Sequence, residues 1–217
     1  MAPVMNGVRA LADEDRAVGL PRGQPDANGL FNSVRVDLAP GVNVDFKRLE
    51  RHFYTSSSCG ICGKASIEAV AVQGRFDLQS AAFRIAPAAL ERVPAALASR
   101  QAVFERTGGL HAAALFDESG TIVAVREDVG RHNALDKLVG DALLHDRVPL
   151  ASYGIVVSGR TSFELMQKAK IAGCALVAAV GAPSSLAVEL AQQFGMTLVG
   201  FLKRDGFNVY SRADRVS

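Results

Sequence analysis

Apolar and polar positions along the chain fall into two regimes that meet near Asn32. Upstream, Met1 to Gly29 carries Pro3, Pro21, Pro25, several glycines and scattered charges with no sustained period. That pattern reads as a loose N-terminal arm (1–29) ahead of a folded domain (30–217). From Ser33 to Leu38 polar and apolar residues alternate as in a half-buried strand, and Pro40-Gly41 ends it. Phe46 to Phe53 suits a short helix, Thr55 to Gly63 a polar loop of small residues, and Ser66 to Val72 an apolar helical run. Ala86 to Arg106 is rich in alanine and leucine and predicts a helix. Pro87 lies near its start, Pro94 at a break point, and Gly108-Gly109 stops it. Leu110–Phe116 and Thr121–Arg126 are strand-like runs around Asp117-Glu118-Ser119-Gly120, a hairpin loop.

Beyond this hairpin the pattern becomes regular. A helical run over Arg131–Leu144 precedes an apolar strand at Tyr153–Val157 and a helix at Thr161–Ala172. A strand at Ala175–Val180, a helix at Ser184–Phe194 and a strand at Met196–Leu202 follow. Continuous apolar strands alternating with amphipathic helices are buried on both faces and joined by crossovers. The class is therefore α/β: a mixed sheet with a hairpin on one side, parallel strands on the other, and helices on both faces. Thr161 and Glu164 have capping-box spacing, and Gly173 and Gly195 stand where helix C-caps belong.

Composition narrows the class. The 217 residues are 49% hydrophobic and 21% charged, as in an ordinary folded domain rather than a disordered chain or a disulfide-dense mini-protein. No apolar run approaches the roughly 20 residues of a membrane span, so no membrane partner is expected. The first residues show neither a signal-peptide core nor a transit-peptide pattern. A net charge of +2 gives no reason to expect a nucleic-acid partner. Three cysteines cannot all pair within one chain, and without an export signal a reducing, cytoplasmic location is expected.

The sharpest chemical feature is Ser56-Ser57-Ser58-Cys59-Gly60-Ile61-Cys62-Gly63-Lys64. Two cysteines at C-x-x-C spacing sit among glycines, ahead of an expected helix start and beside Lys64. Helix amides and a lysine both favour thiolate over thiol. Half of a zinc site, a redox dithiol and a persulfide-transfer pair all remain open on residue chemistry. Zinc wants about four ligands, and the chain has no second C-x-x-C; only His52 lies near. Cys174, at the head of an apolar strand, reads as a core residue.

Two strand-to-helix turns, Val157-Ser158-Gly159-Arg160-Thr161-Ser162 and Val180-Gly181-Ala182-Pro183-Ser184-Ser185, can offer free amides to an anion such as phosphate. Tight capped turns would give the same sequences. Phe201-Leu202-Lys203-Arg204-Asp205-Gly206 supplies two cations and a ring, suited to a phosphorylated planar ligand or to a solvated turn. Glu127 to Lys137 gathers polar groups around one helix start, with His132 beside Arg131, Asn133 and Asp136.

Taken in order, these blocks, together with Gly108-Gly109-Leu110-His111 and Phe207-Asn208-Val209-Tyr210, resemble the formate dehydrogenase accessory sulfurtransferase family (FdhD) from about Asn32 to the end. The resemblance implies a sulfurtransferase that takes persulfide sulfur from a cysteine desulfurase. It would pass that sulfur to the molybdenum cofactor, in its bis guanine dinucleotide form, for formate dehydrogenase. On that footing Cys59 carries the persulfide, Cys62 assists, and Phe201–Gly206 binds the cofactor. Ser158, Gly159, Arg160, Thr161 and His132 complete the candidate pocket. A homodimer is implied as well. A non-catalytic chaperone of the cofactor or of a guanine nucleotide is the alternative.

The family's fold is similar to cytidine deaminase, whose zinc is held by a His-x-Glu helix and a Cys-x-x-Cys helix start. The matching stretches here read His132-Asn133-Ala134 and Ser158-Gly159-Arg160-Thr161, without the glutamate or the cysteines. The expectation is a site without metal, reused for phosphate or pterin contacts. Relative to the family the chain is expected to be short at its N-terminal side.

Overall fold

The computed structural model describes residues 76–217 and, upstream, the backbone of two short strands. The chain divides into two compact units, Met1–Ser56 and Ser57–Ser217. In the first, β1 (Arg9–Ala10) pairs antiparallel with β2 (Val36–Asp37), within the strand expected at Ser33–Leu38. The expected helices at 46–53 and 66–72 and the loop at 55–63, with Cys59 and Cys62, lie outside the described residues.

The second unit is built on a six-stranded mixed sheet. Its strands are β3 (His111–Phe116), β4 (Ile122–Asp128), β5 (Gly154–Val157), β6 (Leu176–Ala179), β7 (Thr197–Lys203) and β8 (Gly206–Ser211), in the order β4-β3-β5-β6-β7-β8. The β3–β4 hairpin is antiparallel, β5, β6 and β7 run parallel, and β8 returns antiparallel beside β7. The expected hairpin and parallel strands are present. Strand β8 is an addition: Arg204-Asp205 makes a tight reversal between paired Lys203 and Gly206, and Gly206 adopts φ +155°.

Side-chain alternation sorts the strands into two cores. On one face Leu115, Ile155, Val157, Val177 and Leu198 pack against helices α4 (Arg131–Leu144), α5 (Phe163–Ile171) and α6 (Ser185–Gln193). On the other, Ala114, Phe116, Val156, Leu176 and Val199 meet Leu90, Val93 and Leu97. This gives helices on both faces, as the continuous apolar strands require.

The run expected as one helix over Ala86–Arg106 is three short ones: α1 (Pro87–Leu90), α2 (Val93–Ala98) and α3 (Ala102–Thr107). Proline has no amide to donate and suits only a first turn. Pro94 accordingly starts α2 rather than continuing α1. Gly108 closes α3 at φ +64°. The glycines expected after α5 and α6 do have left-handed backbones, Gly173 at φ +76° and Gly195 at φ +65°.

Candidate functional site

At the carboxyl edge of the parallel strands four pieces of backbone meet. Crossovers of an open α/β sheet leave their turns on this edge, which is where ligands of such folds bind. The turn after β5 and the turn after β6 touch directly. The Gly181 amide donates to Gly159 O (3.1 Å), Thr161 N to Ala182 O (3.2 Å) and Ser184 N to Thr161 O (2.9 Å). A Cβ on Gly181 would stand 3.0 Å from Arg160 N and Gly159 O, so only glycine lets the two turns come this close. The Phe201 amide then donates to Gly181 O (3.1 Å), joining the end of β7 to the pair.

Because β3 runs antiparallel to β5, its first residue lies at the same edge. Ser158 Oγ accepts from Ala112 N (2.8 Å), and a Cβ on Gly159 would meet His111 Nδ1 at 3.2 Å. The end of β4 and the start of α4 complete the edge. Asp128 Oδ1 accepts from Gly130 N (2.9 Å) and Asn133 Nδ2 (3.1 Å), and its other oxygen pairs with Lys137. The Lys137 ammonium, the Gly130 amide and Asn133 hold the Asp128 carboxyl down to about 2. His132 Nε2 lies 3.1 Å from Ser162 Oγ and 3.9 Å from Glu164 Oε2. Burial pushes the His132 imidazole below its ordinary value, with Glu164 opposing.

The sequence-derived candidates take different positions. Ser158, Gly159, Arg160, Thr161 and His132 all stand at this edge, with Arg160 exposed. Phe201 adopts φ +52°, rare for a bulky side chain, and its ring is 43% exposed. Lys203, Arg204 and Asp205 are exposed on the β7–β8 reversal, and Gly206 begins β8. Leu202 is fully buried in the second core, so its side chain packs and does not face the edge. The capping box expected of Thr161 and Glu164 does not form. The helix starts at Phe163 with Ser162 as its cap residue, because Thr161 is drawn into a parallel bridge with Pro183.

Buried polar atoms without a partner among the described residues include Thr161 Oγ1, Glu164 Oε2 and Arg131 Nε, all at or beside this edge. Such atoms are rare in folded proteins. Also among the described residues, no three or more His, Cys, Asp or Glu side chains are grouped to hold a metal ion. No helix there is long and apolar enough to cross a membrane. The sequence reading places Glu127 among the polar groups around the following helix start, but its carboxylate works away from that helix. Its carboxylate accepts from Val103 N (3.0 Å) and Phe104 N (2.8 Å), capping α3 across 23 and 24 residues of chain. Nothing local could have shown this, because the pairing depends on the fold bringing the end of β4 to the start of α3.

An open α/β sheet brings glycine turns, helix N-termini and exposed cations together at its carboxyl edge, the edge at which folds of this class bind ligands. The FdhD/NarQ family model matches residues 23–217. The chain belongs to the FdhD/NarQ family. It is 54% identical over 193 residues to the sulfur carrier protein FdhD of Streptomyces coelicolor, covering 88% of this chain and 68% of that protein. It is 50% identical over 216 residues to the protein of the same name from Streptomyces avermitilis, covering 99% of this chain and 77% of that one. Among solved structures, a putative formate dehydrogenase accessory protein from Desulfotalea psychrophila superposes with a TM-score of 0.59 at 28% identity. That match covers 63% of this chain and 58% of that chain.

Proposed function

We propose that this protein carries sulfur as a persulfide on Cys59 and hands it to a molybdenum cofactor of the bis guanine dinucleotide type. The observation that carries this reading is the 54% identity to a protein named as a sulfur carrier, in a chain that has a C-x-x-C loop. The donor is a cysteine desulfurase, and the beneficiary is a formate dehydrogenase. In the loading step the Cys59 thiolate attacks the outer sulfur of the donor's persulfide. The donor's S–S bond breaks, its cysteine leaves as thiolate, and a new S–S bond forms on Cys59. No net electrons are consumed, and Lys64 stabilises the attacking thiolate. Cys62 assists onward transfer.

The carboxyl edge supports the acceptor side of this reading. The cofactor, written here as substrate, carries diphosphate groups and flat ring systems. Exposed Lys203 and Arg204 offer charge to the first, and the exposed Phe201 ring offers a stacking face to the second. The α5 first-turn amides and the Thr161 hydroxyl, which has no hydrogen-bond partner among the described residues, are further donors. Leu202 anchors the strand from behind.

The test is cyanolysis. After incubation with desulfurase and cysteine, the parent protein releases thiocyanate and Cys59→Ala releases none. Equal release from both would remove Cys59 from its role. Guanine-nucleotide binding without any sulfur loading would favour a cofactor chaperone instead.

A further inference from the structure

The two crossover helices at the edge start with the same residue type but are capped differently. Each has a serine as its N-cap, Ser162 for α5 and Ser184 for α6. Ser184 does the usual work: its Oγ accepts from Ala187 N at 3.2 Å. Ser162 makes no such bond to its own helix. Its hydroxyl lies instead against His132 Nε2, 3.1 Å away. The first-turn amides of α5, at Phe163, Glu164 and Leu165, therefore lack the side-chain cap that α6 has. A second observation falls at the same terminus. Thr161, one residue before the cap, is 1% exposed, and its Oγ1 has no partner among the described residues.

We infer that His132 is a positioning residue that draws Ser162 off the α5 cap, so that the helix terminus stays open for the diphosphate of the ligand. The inference rests on the anion-binding reading of this edge and deepens it. Uncapped amides at a helix N-terminus, with a hydroxyl beside them, are what a phosphate oxygen accepts from. A serine that caps its own helix competes for the same amides. His132 thus decides which of two like-built turns takes the anion: α6 is closed by its own serine, and α5 is not. Glu164 stands at the same terminus, 3.9 Å from His132 Nε2, and its charge opposes an anion there.

The experiment is titration calorimetry of the full chain with inorganic pyrophosphate and, separately, with guanosine diphosphate. A serine cap is worth about 1 kcal/mol, so His132→Ala, which frees Ser162 to cap, is expected to weaken binding of both by about fivefold. Ser162→Ala should bind at least as tightly as the parent. In the double variant His132→Ala/Ser162→Ala affinity should return to the parent's, since no serine remains to compete. Glu164→Gln should tighten binding. Thermal melting of each variant checks that it folds. If the double variant stays as weak as His132→Ala, the imidazole contacts the ligand directly and the positioning role is wrong. If His132→Ala binds like the parent, the inference also falls. If the parent binds neither probe, the edge is not an anion site. Sulfur loading of Cys59, read separately by cyanolysis, then decides whether the carrier function stands without it.

Discussion

At the scale of single residues, the edge contains side chains that the bare fold would be better without. Thr161 Oγ1 is buried and unpartnered, and an unmade hydrogen bond at a buried hydroxyl costs about 1–3 kcal/mol. Thr161→Val should therefore raise the melting temperature of the free protein while weakening pyrophosphate binding; calorimetry of both properties on one sample checks the pair. Asp128 behaves oppositely. Its folded-state pKa of about 2 lies below the ordinary 3.8, so the stabilisation it gives is complete above the ordinary value. It is lost as pH falls from there through about 2. In an acid titration Asp128→Asn should flatten that part of the stability curve and leave the neutral region nearly parallel to the parent's. Gly181 leaves little room for a side chain, because a Cβ would press on the backbone of Gly159 and Arg160. Gly181→Ala should part the two turns and weaken ligand binding more than it lowers stability.

At the scale of elements, α3 is the least supported piece of the described structure. None of its residues is buried, Val103 and Phe104 are 37% and 41% exposed, and it is six residues long. So short a helix does not hold by propensity alone. Its tie to the body is the Glu127 carboxylate on two first-turn amides. Glu127→Ala should speed amide exchange at Val103 and Phe104 by an order of magnitude or more, with little change in the central strands. Strongly periodic elements were legible in the sequence. Strands β5 and β6 are apolar throughout and β7 is apolar between Thr197 and Lys203, and the helices between them end at glycines that need positive φ. Strand β8 is not legible in the sequence, because Phe207-Asn208-Val209-Tyr210 is short and follows a two-residue Arg204-Asp205 turn that carries no glycine. The helix expected at Ala86–Arg106 is interrupted next to Pro94, its expected break, and a second time at Ser99–Gln101, where the sequence carries no breaker. The Thr161–Glu164 box failed because a neighbouring crossover captured Thr161, a tertiary effect that local spacing does not carry.

At the scale of the whole described body, the C-terminus closes the fold. Arg215 is fully buried and spends its guanidinium on carbonyls, donating to Gly195 O at 2.8 Å and to Leu78 O, and to Thr197 Oγ1 at 3.3 Å. The chain beside it pairs with Ile85 through Ile85 N to Arg215 O (2.9 Å) and Ser217 N to Ile85 O (3.1 Å). Removing a buried charged donor from several acceptors costs about 3 kcal/mol or more. Arg215→Ala should lower the denaturant midpoint by that equivalent. The site was legible as a set of blocks and not as a geometry. The sequence pointed to both turns, to His132 and to Phe201–Gly206. It did not carry the contacts that join Gly159, Gly181 and Phe201 into one edge, since these depend on strand order. Nor did it show that Leu202 turns inward. Cys174 matches its reading as a core residue: burial raises its thiol to about 12, which leaves it inert as a sulfur acceptor.

That contrast sets the most direct test of sulfur carriage. The protein is incubated with a cysteine desulfurase and cysteine, digested without reductant, and its peptides are weighed by mass spectrometry. The account predicts one extra sulfur on the peptide containing Cys59, absent in Cys59→Ala, with the peptide containing Cys174 unchanged. Extra sulfur on the Cys174 peptide, or undiminished loading in Cys59→Ala, would contradict it.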